Sequence, residues 1–254
     1  MSSPPSGAPP VRWRVRSSTG SAEAFHQRDP EPDGGHHIWI HTPPRPALIL
    51  GSTQPPELVR ADRARLDGIE VCRRRSGGGL VHLDPATDCW LDAIVPAGSP
   101  WWDDDVGKAF HWLGQHWGTV LDDLLGPSGP ALVHRPAPTA STPARPLWCF
   151  SGVGHGEVTV GASKVVGLSQ RRTRGWIRLQ SLVLGRWPGS RLLPYVDLDV
   201  ARAIPGIDPE GIDPSAVPAG PPVGIRLPSP AVLAATFVDR LGADAAGASS
   251  VTST

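Results

Sequence analysis

The chain is short of lysine, of cysteine and of net charge. Among 254 residues only Lys108 and Lys164 are lysines, beside 22 arginines. The three cysteines, Cys72, Cys89 and Cys149, are too few and too scattered for a disulfide framework. No CxxC spacing exists, so no structural zinc site is expected. The 24 basic and 24 acidic residues cancel. A protein that coats nucleic acid needs excess positive charge for phosphate contacts, so that class is disfavoured. No apolar run approaches the ~20 residues that cross a bilayer, so no membrane partner is expected. Met1–Gly7 has neither a charged n-region nor an apolar h-region, so no signal peptide is read there and the expected setting is cytoplasmic and reducing. The length fits one large domain, or one domain with a small appendage. The apolar fraction of 39%, with 29 glycines added, is enough for a core.

What is abundant is proline, at 30 residues, and arginine. Both fit a GC-rich coding bias, which weakens any argument from an arginine cluster. A retained lysine carries more weight, because the two cations differ in hydration, shape and pKa. Residues 1–10 read as a disordered N-terminus. Strands are expected at 11–16, 37–40, 47–51, 69–72, 80–83 and 89–95, from alternation or short apolar runs. Helices are expected at 56–66 and at 103–125. In the second, Val106, Phe110, Leu113, Trp117, Val120 and Leu124 recur at helical steps behind Asp103, Asp104 and Asp105. A Pro/Ala/Thr loop covers 135–146. Residues 157–161 and 164–167 flank a tight turn and read as a hairpin, and a further strand lies within 176–187. Residues 190–203 are mixed and 205–228 extended. A last helix spans 230–241 and stops at Gly242, and the end of the chain reads as a polar tail. The expected class is α+β: a mixed, mostly antiparallel sheet flanked by helices. The expected division is 11–203 for the main domain, 204–242 for an extended segment and helix packed on it, and 243–254 for a disordered tail.

Three stretches could carry chemistry. Arg73-Arg74-Arg75-Ser76-Gly77-Gly78-Gly79 precedes a strand. Its glycines suit close approach of backbone to a ligand, and equally a turn with positive φ. Lys164 stands at a strand start beside turn glycines. A buried ammonium there could hold an oxygen as negative charge develops, whereas an ordinary strand-end lysine is solvated. Cys149 lies between Trp148 and Phe150, ahead of Ser151-Gly152-Val153-Gly154-His155-Gly156. It is either an inert filler or a thiol activated by a nearby cation such as Lys164. Cys72 and Cys89 lie in expected strands and read as core.

Arg74 to Val81 resembles the RRSGGGAV signature of the lipoate–protein ligase family, within the wider biotin/lipoate protein ligase superfamily. The stretch Gly161 to Gln170, with Lys164, Gly167, Ser169 and Gln170, resembles that family's G-x-K-x-x-G-x-A-Q. Leu48 to Gln54 is similar to its V-x-I-G-x-x-Q. The three occur in the family's order, and the resemblance covers roughly residues 35–190. It implies a catalytic domain of that type, binding a lipoyl or octanoyl group, often with adenylate. It implies that Lys164 touches the acyl carbonyl and the adenylate phosphate, and that Gly77, Gly78 and Gly79 wall the pocket. Arg74, Arg75, Ser76, His82, Gly161, Gly167, Ser169 and Gln170 are the other implied substrate-binding residues.

One branch of the family, the octanoyltransferases, carries a nucleophilic cysteine in C-F-x-x-x-x-x-x-E ahead of the lysine motif. Here Phe150 lies seven residues before Glu157, and Cys149 fifteen before Lys164. The resemblance to that branch implies a Cys149 acyl-enzyme, with acyl carrier protein as donor, a lipoyl-domain protein as acceptor, and no required cofactor. The ligase alternative implies ATP and magnesium, and a non-catalytic acyl or lipoyl-domain binder is the third reading. The family's Asn-Asp pair is missing from Gly152–Gly156. Its histidine is displaced by one, to His82, and its acidic N-terminal helix is hard to find in Ser21–His26. Arg171 and Arg172 fit a substrate-facing basic strip or a solvated strand. A monomer is expected.

Overall fold

The computed structural model describes residues 11–30, 34–134, 147–207, 209–242 and 244–245. The expectations for residues 1–10, for the 135–146 loop and for 246–254 fall outside the described residues.

Eleven strands form two sheets among the described residues. The large sheet contains β1 (Trp13–Thr19), β2 (His36–Thr42), β6 (Cys89–Pro96), β7 (Ala131–Val133), β8 (Val158–Val160), β9 (Ser163–Arg172), β10 (Trp176–Val183) and β11 (Asp244–Ala245). Their order is β11-β1-β2-β6-β10-β9-β8-β7. The small sheet has β3 (Ala47–Leu50) at its centre, between β4 (Glu70–Arg73) and β5 (Val81–Leu83). Pairing is antiparallel except for β1 with β2 and β11, and β3 with β4. The mixed, mostly antiparallel α+β class is therefore observed.

Period-two alternation builds two cores on opposite faces of the large sheet. On β6, Cys89, Leu91, Ala93 and Val95 point to one face, and on β10 Ile177, Leu179 and Val183 join them. The helices α3 (His111–Leu125) and α5 (Pro230–Leu241) cover this face with Leu113, Trp117, Val120, Leu121, Leu233 and Phe237. The other face carries Trp90 and Leu182 and meets Leu48, Ile49 and Leu50 of the small sheet. Ile212 and Val217 complete this second core. Register fixes what stands beside Trp90 and Leu182. Gln180 pairs with Asp92 and Ser169, and Leu182 pairs with Trp90 and Gly167. Polar residues thus enter a mostly apolar interlayer.

Several boundaries differ from the sequence reading. The 103–125 helix starts only at His111, after a single tight turn at Lys108–Phe110. The aspartates prefer side-chain turns: Asp103 accepts from the Asp105 N–H, and Asp105 accepts from the Gly107 and Lys108 N–H groups. The 56–66 helix is split into a 3-10 turn at Pro56–Leu58 and α2 (Ala61–Leu66), because Val59 leaves helical geometry to bridge Val196. The obscure N-terminal helix does form, as α1 (Ala22–Gln27), with the Ser21 side chain accepting from the Ala24 N–H. The mixed stretch contains α4 (Leu198–Ala203), capped by Asp197. The tail begins with β11 rather than with coil. Gly242, at φ +65°, ends α5 as expected. No described helix is long and apolar enough to cross a membrane.

Candidate active site

A narrow cavity lies between the two sheets. Its floor is Gly167, Leu168 and Ser169 of β9 with Gln180, Ser181 and Leu182 of β10, and Trp90 of β6. Ile49, Val81 and Leu83 of the small sheet form its roof. His26, Arg74, Cys149 and Phe150 close it. The lining is mostly hydrocarbon and aromatic, which suits an apolar chain rather than a sugar or a nucleotide base.

Cys149 is the partly exposed cysteine at this wall. Cys72 and Cys89 are buried, and burial pushes each thiol up to about 12, so both stay protonated and inert. The Cys149 loop is tied to the small sheet on both sides: the Leu80 N–H donates to the Leu147 carbonyl, and the Cys149 N–H to the Leu80 carbonyl. Here the glycine run has its reason. A Cβ on Gly79 would stand 2.6 Å from the Leu147 oxygen and 2.7 Å from the Cys149 nitrogen. Gly78 adopts φ +97°, and its Cβ position lies 3.8 Å from Cys149 Sγ. The glycines therefore let the loop press against the cysteine, and Gly77 meets nothing. None of the three lines the cavity itself.

Lys164 stands behind the cysteine loop. It is only 2% exposed, and its three N–H donors are all engaged. Nζ donates to the Cys149 carbonyl at 2.7 Å and the Gly152 carbonyl at 3.0 Å, and pairs with Glu157 Oε2 at 2.6 Å. It also lies 4.9 Å from the Phe150 ring centroid. Glu157 is buried and saturated in turn: Oε2 accepts from the Gly154 N–H and Oε1 from the Leu168 N–H. Glu157 thus holds Lys164, the Gly152–Gly154 turn and β9 together. Phe150 packs its ring on Gly167, where a Cβ would come within 2.7 Å of it. The lysine and cysteine therefore converge, through the cysteine's own carbonyl.

Arg74 lines the cavity but spends its guanidinium on backbone. It donates to the carbonyls of Gly77, Gly79 and Ile49 and so shapes the glycine loop from inside. Ser169 lines the cavity, and its hydroxyl donates to Gln180 Oε1 at 3.3 Å.

The other expected substrate-binding residues lie elsewhere. Arg75 points outward, to Asp29 and Gln27. Ser76 contributes its carbonyl to the Ser52 N–H and is not in the lining. His82 is turned to the opposite face of β5 from Val81 and Leu83, as alternation requires, and burial lowers it to about 4. Gly161 is the exposed turn of the β8–β9 hairpin, at φ +57°. Gln170 donates to the Val106 carbonyl, outside the cavity. Arg172 donates to the Asp103 and Asp104 carbonyls, so it anchors a loop. Sequence reasoning missed His26, Trp90 and Gln180. The signal was the alternation of β6 and β10, which puts Trp90 and Gln180 on the Gly167–Ser169 face.

The model of the lipoyl protein ligase A/B catalytic domain matches residues 21–185. No curated protein matches the chain. Among solved structures, a bipartite lipoate protein ligase of Thermoplasma acidophilum, studied with its E2 lipoyl domain, is similar with a TM-score of 0.63 at 16% identity, over 95% of this chain and 88% of that one. A lipoate-protein ligase A bound with ATP is similar with a TM-score of 0.58 at 16% identity, over 95% and 89%. LipL1 of P. falciparum in complex with lipoate gives 0.55 at 12% identity, over 91% of this chain and 59% of its own. The family match covers the cavity, Cys149, Lys164 and the glycine loop together, and the chain belongs to the lipoyl protein ligase A/B catalytic domain family.

Proposed function

We propose that this protein transfers an octanoyl or lipoyl group to a lysine of a lipoyl-domain protein through a thioester on Cys149. One observation carries the reading: the accessible cysteine sits at the wall of an apolar cavity and is gripped by the buried Lys164–Glu157 pair. In the first step the Cys149 thiolate attacks the thioester carbonyl of an acyl carrier protein. A new C–S bond forms, the old one breaks, and the carrier leaves as a thiol with the proton that Cys149 lost. In the second step the acceptor lysine's amine attacks the acyl-enzyme. The amide forms, Cys149 leaves as thiolate, and the amine's proton returns it to the thiol. Energy comes from the donor thioester, so the sequence of bonds balances without a nucleotide.

Lys164 acts here by position. Its bonds to the Cys149 and Gly152 carbonyls fix the sulfur's loop against the cavity. The ATP-dependent reading draws on the similar structure that holds ATP. Against it stands the acid chemistry of this site. Gly152–Gly156 offers no carboxylate, and Glu157 is already shared among Lys164, Gly154 and Leu168.

The test is intact mass after mixing the protein with octanoyl-carrier protein and no ATP, beside Cys149→Ala. An octanoyl-sized adduct is expected, labile to hydroxylamine and missing from the variant. A wild type that stays unmodified, but modifies a lipoyl domain when given lipoate and ATP, would make the ligase reading the correct one.

A further inference from the structure

His26 is a buried imidazole in the cavity wall that the acyl-transfer chemistry does not use. It is 7% exposed, projects from α1, and lies over the Trp90 ring at a 4.6 Å centroid distance. Its Nε2 has no hydrogen-bond partner. Its Nδ1 faces the Gln180 amide nitrogen at 3.5 Å. The amide is oriented by the Ser169 hydroxyl, which donates to Gln180 Oε1. With the Gln180 N–H donating to Nδ1, the ring proton resides on Nε2. Burial lowers His26 to about 3, so the ring is neutral and carries that one proton. The result is an N–H donor without a partner on a side chain that lines an apolar cavity, an unfavourable arrangement until something accepts from it.

The position along the cavity says which part of an acyl chain would accept. Phe150, next to Cys149, packs on Gly167, which pairs with Leu182. Ser169 and Gln180, the pair that orients His26, are two residues further along the same strands, about 7 Å by strand rise. A chain fixed at Cys149 and laid past Gly167 brings its later carbons to His26.

We propose that His26 selects the transferred group: its Nε2–H donates to an acceptor near the far end of the chain, so the cavity prefers an acyl group ending in a cyclic disulfide to a saturated chain. This inference rests on the reading of the cavity as the acyl site. A dithiolane supplies polarizable sulfur both to the imidazole N–H and to the face of Trp90. A saturated octanoyl tail supplies neither and leaves the donor bare.

The test is calorimetric binding of lipoic and octanoic acid to the full chain, to His26→Phe and to His26→Gln. One hydrogen bond of ordinary net strength corresponds to about a two- to tenfold preference. The wild type should bind lipoate more tightly than octanoate by that factor. His26→Phe keeps a ring on Trp90 but no donor, and should bring the ratio to about one. His26→Gln restores a donor and should restore part of the preference. A wild type that binds octanoate as tightly as lipoate overturns the proposal on its own, as does a ratio unchanged in His26→Phe. If neither acid binds the wild type, the acyl reading of the cavity falls and the selection falls with it. If both acids bind with the expected ratio while Cys149 stays unmodified by octanoyl-carrier protein, only the thioester reading falls.

Discussion

Two buried ion pairs lie on the same side of the large sheet and do different work. Lys164–Glu157 stands at the cysteine. Arg178–Asp92 stands at the far side of the cavity floor. Both are almost fully enclosed. Arg178 donates through Nε and Nη2 to Asp92 Oδ2 and through Nη1 and Nη2 to the Arg28 and Phe25 carbonyls. Asp92 also accepts from the Trp90 indole and pairs with His41. Arg178 and His41 together hold the Asp92 carboxyl far below the ordinary carboxylate range, against the opposing effect of burial. That fork clamps β10, β6, β2 and the end of α1, and so sets His26 in place. The other pair holds a single loop beside the partly exposed Cys149 sulfur. A chain with 22 arginines and two lysines places arginine in this scaffold clamp and one of its lysines beside the cysteine. A planar fork satisfies several fixed acceptors at once, whereas a compact ammonium reaches three carbonyl or carboxylate oxygens in a small space.

The comparison breaks first in stability. Asp92→Ala leaves Arg178 and His41 buried without their carboxylate, and should cost about 3–5 kcal/mol, measured as the shift in urea unfolding. Glycine-loop and cysteine chemistry would then be lost only through unfolding. Lys164→Arg tests the opposite pair. The larger guanidinium cannot keep all three short contacts, so the Cys149 loop shifts, and a displacement near 1 Å costs about a hundredfold in rate. Acyl-enzyme formation should fall by that factor while unfolding changes less than for Asp92→Ala. An equal loss of stability in the two variants would mean that Lys164 is scaffold too.

Protons separate the pairs further. His26 is lowered to about 3 and His82 to about 4, and His41 and His116 are lowered as well, all mainly by burial. The unfolded chain binds protons at these sites near 6.5, while the folded chain refuses them. Their contribution is therefore complete above about pH 6.5 and is lost as pH falls toward 4. Asp88 opposes this: burial raises it to about 7, so it weakens the fold as pH rises from about 4 to 7. With His36, which burial also lowers to about 4, five histidines outweigh one aspartate, and the urea midpoint should fall on acidification from pH 6.5 to 4. His26→Gln should flatten that fall.

The glycine loop grades the same argument at single positions. Gly79→Ala forces a Cβ into the Leu147–Cys149 backbone and should cost about 1–3 kcal/mol together with most acyl-enzyme formation. Gly77→Ala meets nothing and should leave both unchanged.

Much of this was legible from the sequence. Gly-x-x-Lys, the glycine run and Cys149-Phe150 lie in the order the fold uses, because each is a local backbone requirement written into a few adjacent residues. The β8–β9 hairpin followed from two apolar runs around a tight turn, and the final helix from its apolar run and the glycine that ends it. What was not legible depended on contacts across the fold. His82 looked like a site residue because its neighbours match a motif, but strand parity turned it away from the cavity. Asp103–Asp105 looked like a helix start because aspartate also favours one, yet side-chain turns won. His26 was hidden because the sequence separates it by 143 residues from Ser169, the hydroxyl that orients its partner.

The smallest effect is also the sharpest control on reading arginines. Arg74 and Arg75 are adjacent and equally suggestive in sequence. Arg74 is 4% exposed and braces two carbonyls of the glycine loop, Gly77 and Gly79, and that of Ile49 in β3. Arg75 is a surface partner of Asp29, which Arg171 also contacts. Removing Arg75 leaves Asp29 with its second arginine and buries no charge. Arg75→Ala should therefore change stability by no more than about 0–1 kcal/mol, less at high salt, and leave acyl-enzyme formation unchanged. Loss of acyl transfer with stability intact would instead place Arg75 at the mouth through which the donor enters, and the basic strip from Arg75 to Arg171 would become part of the substrate path.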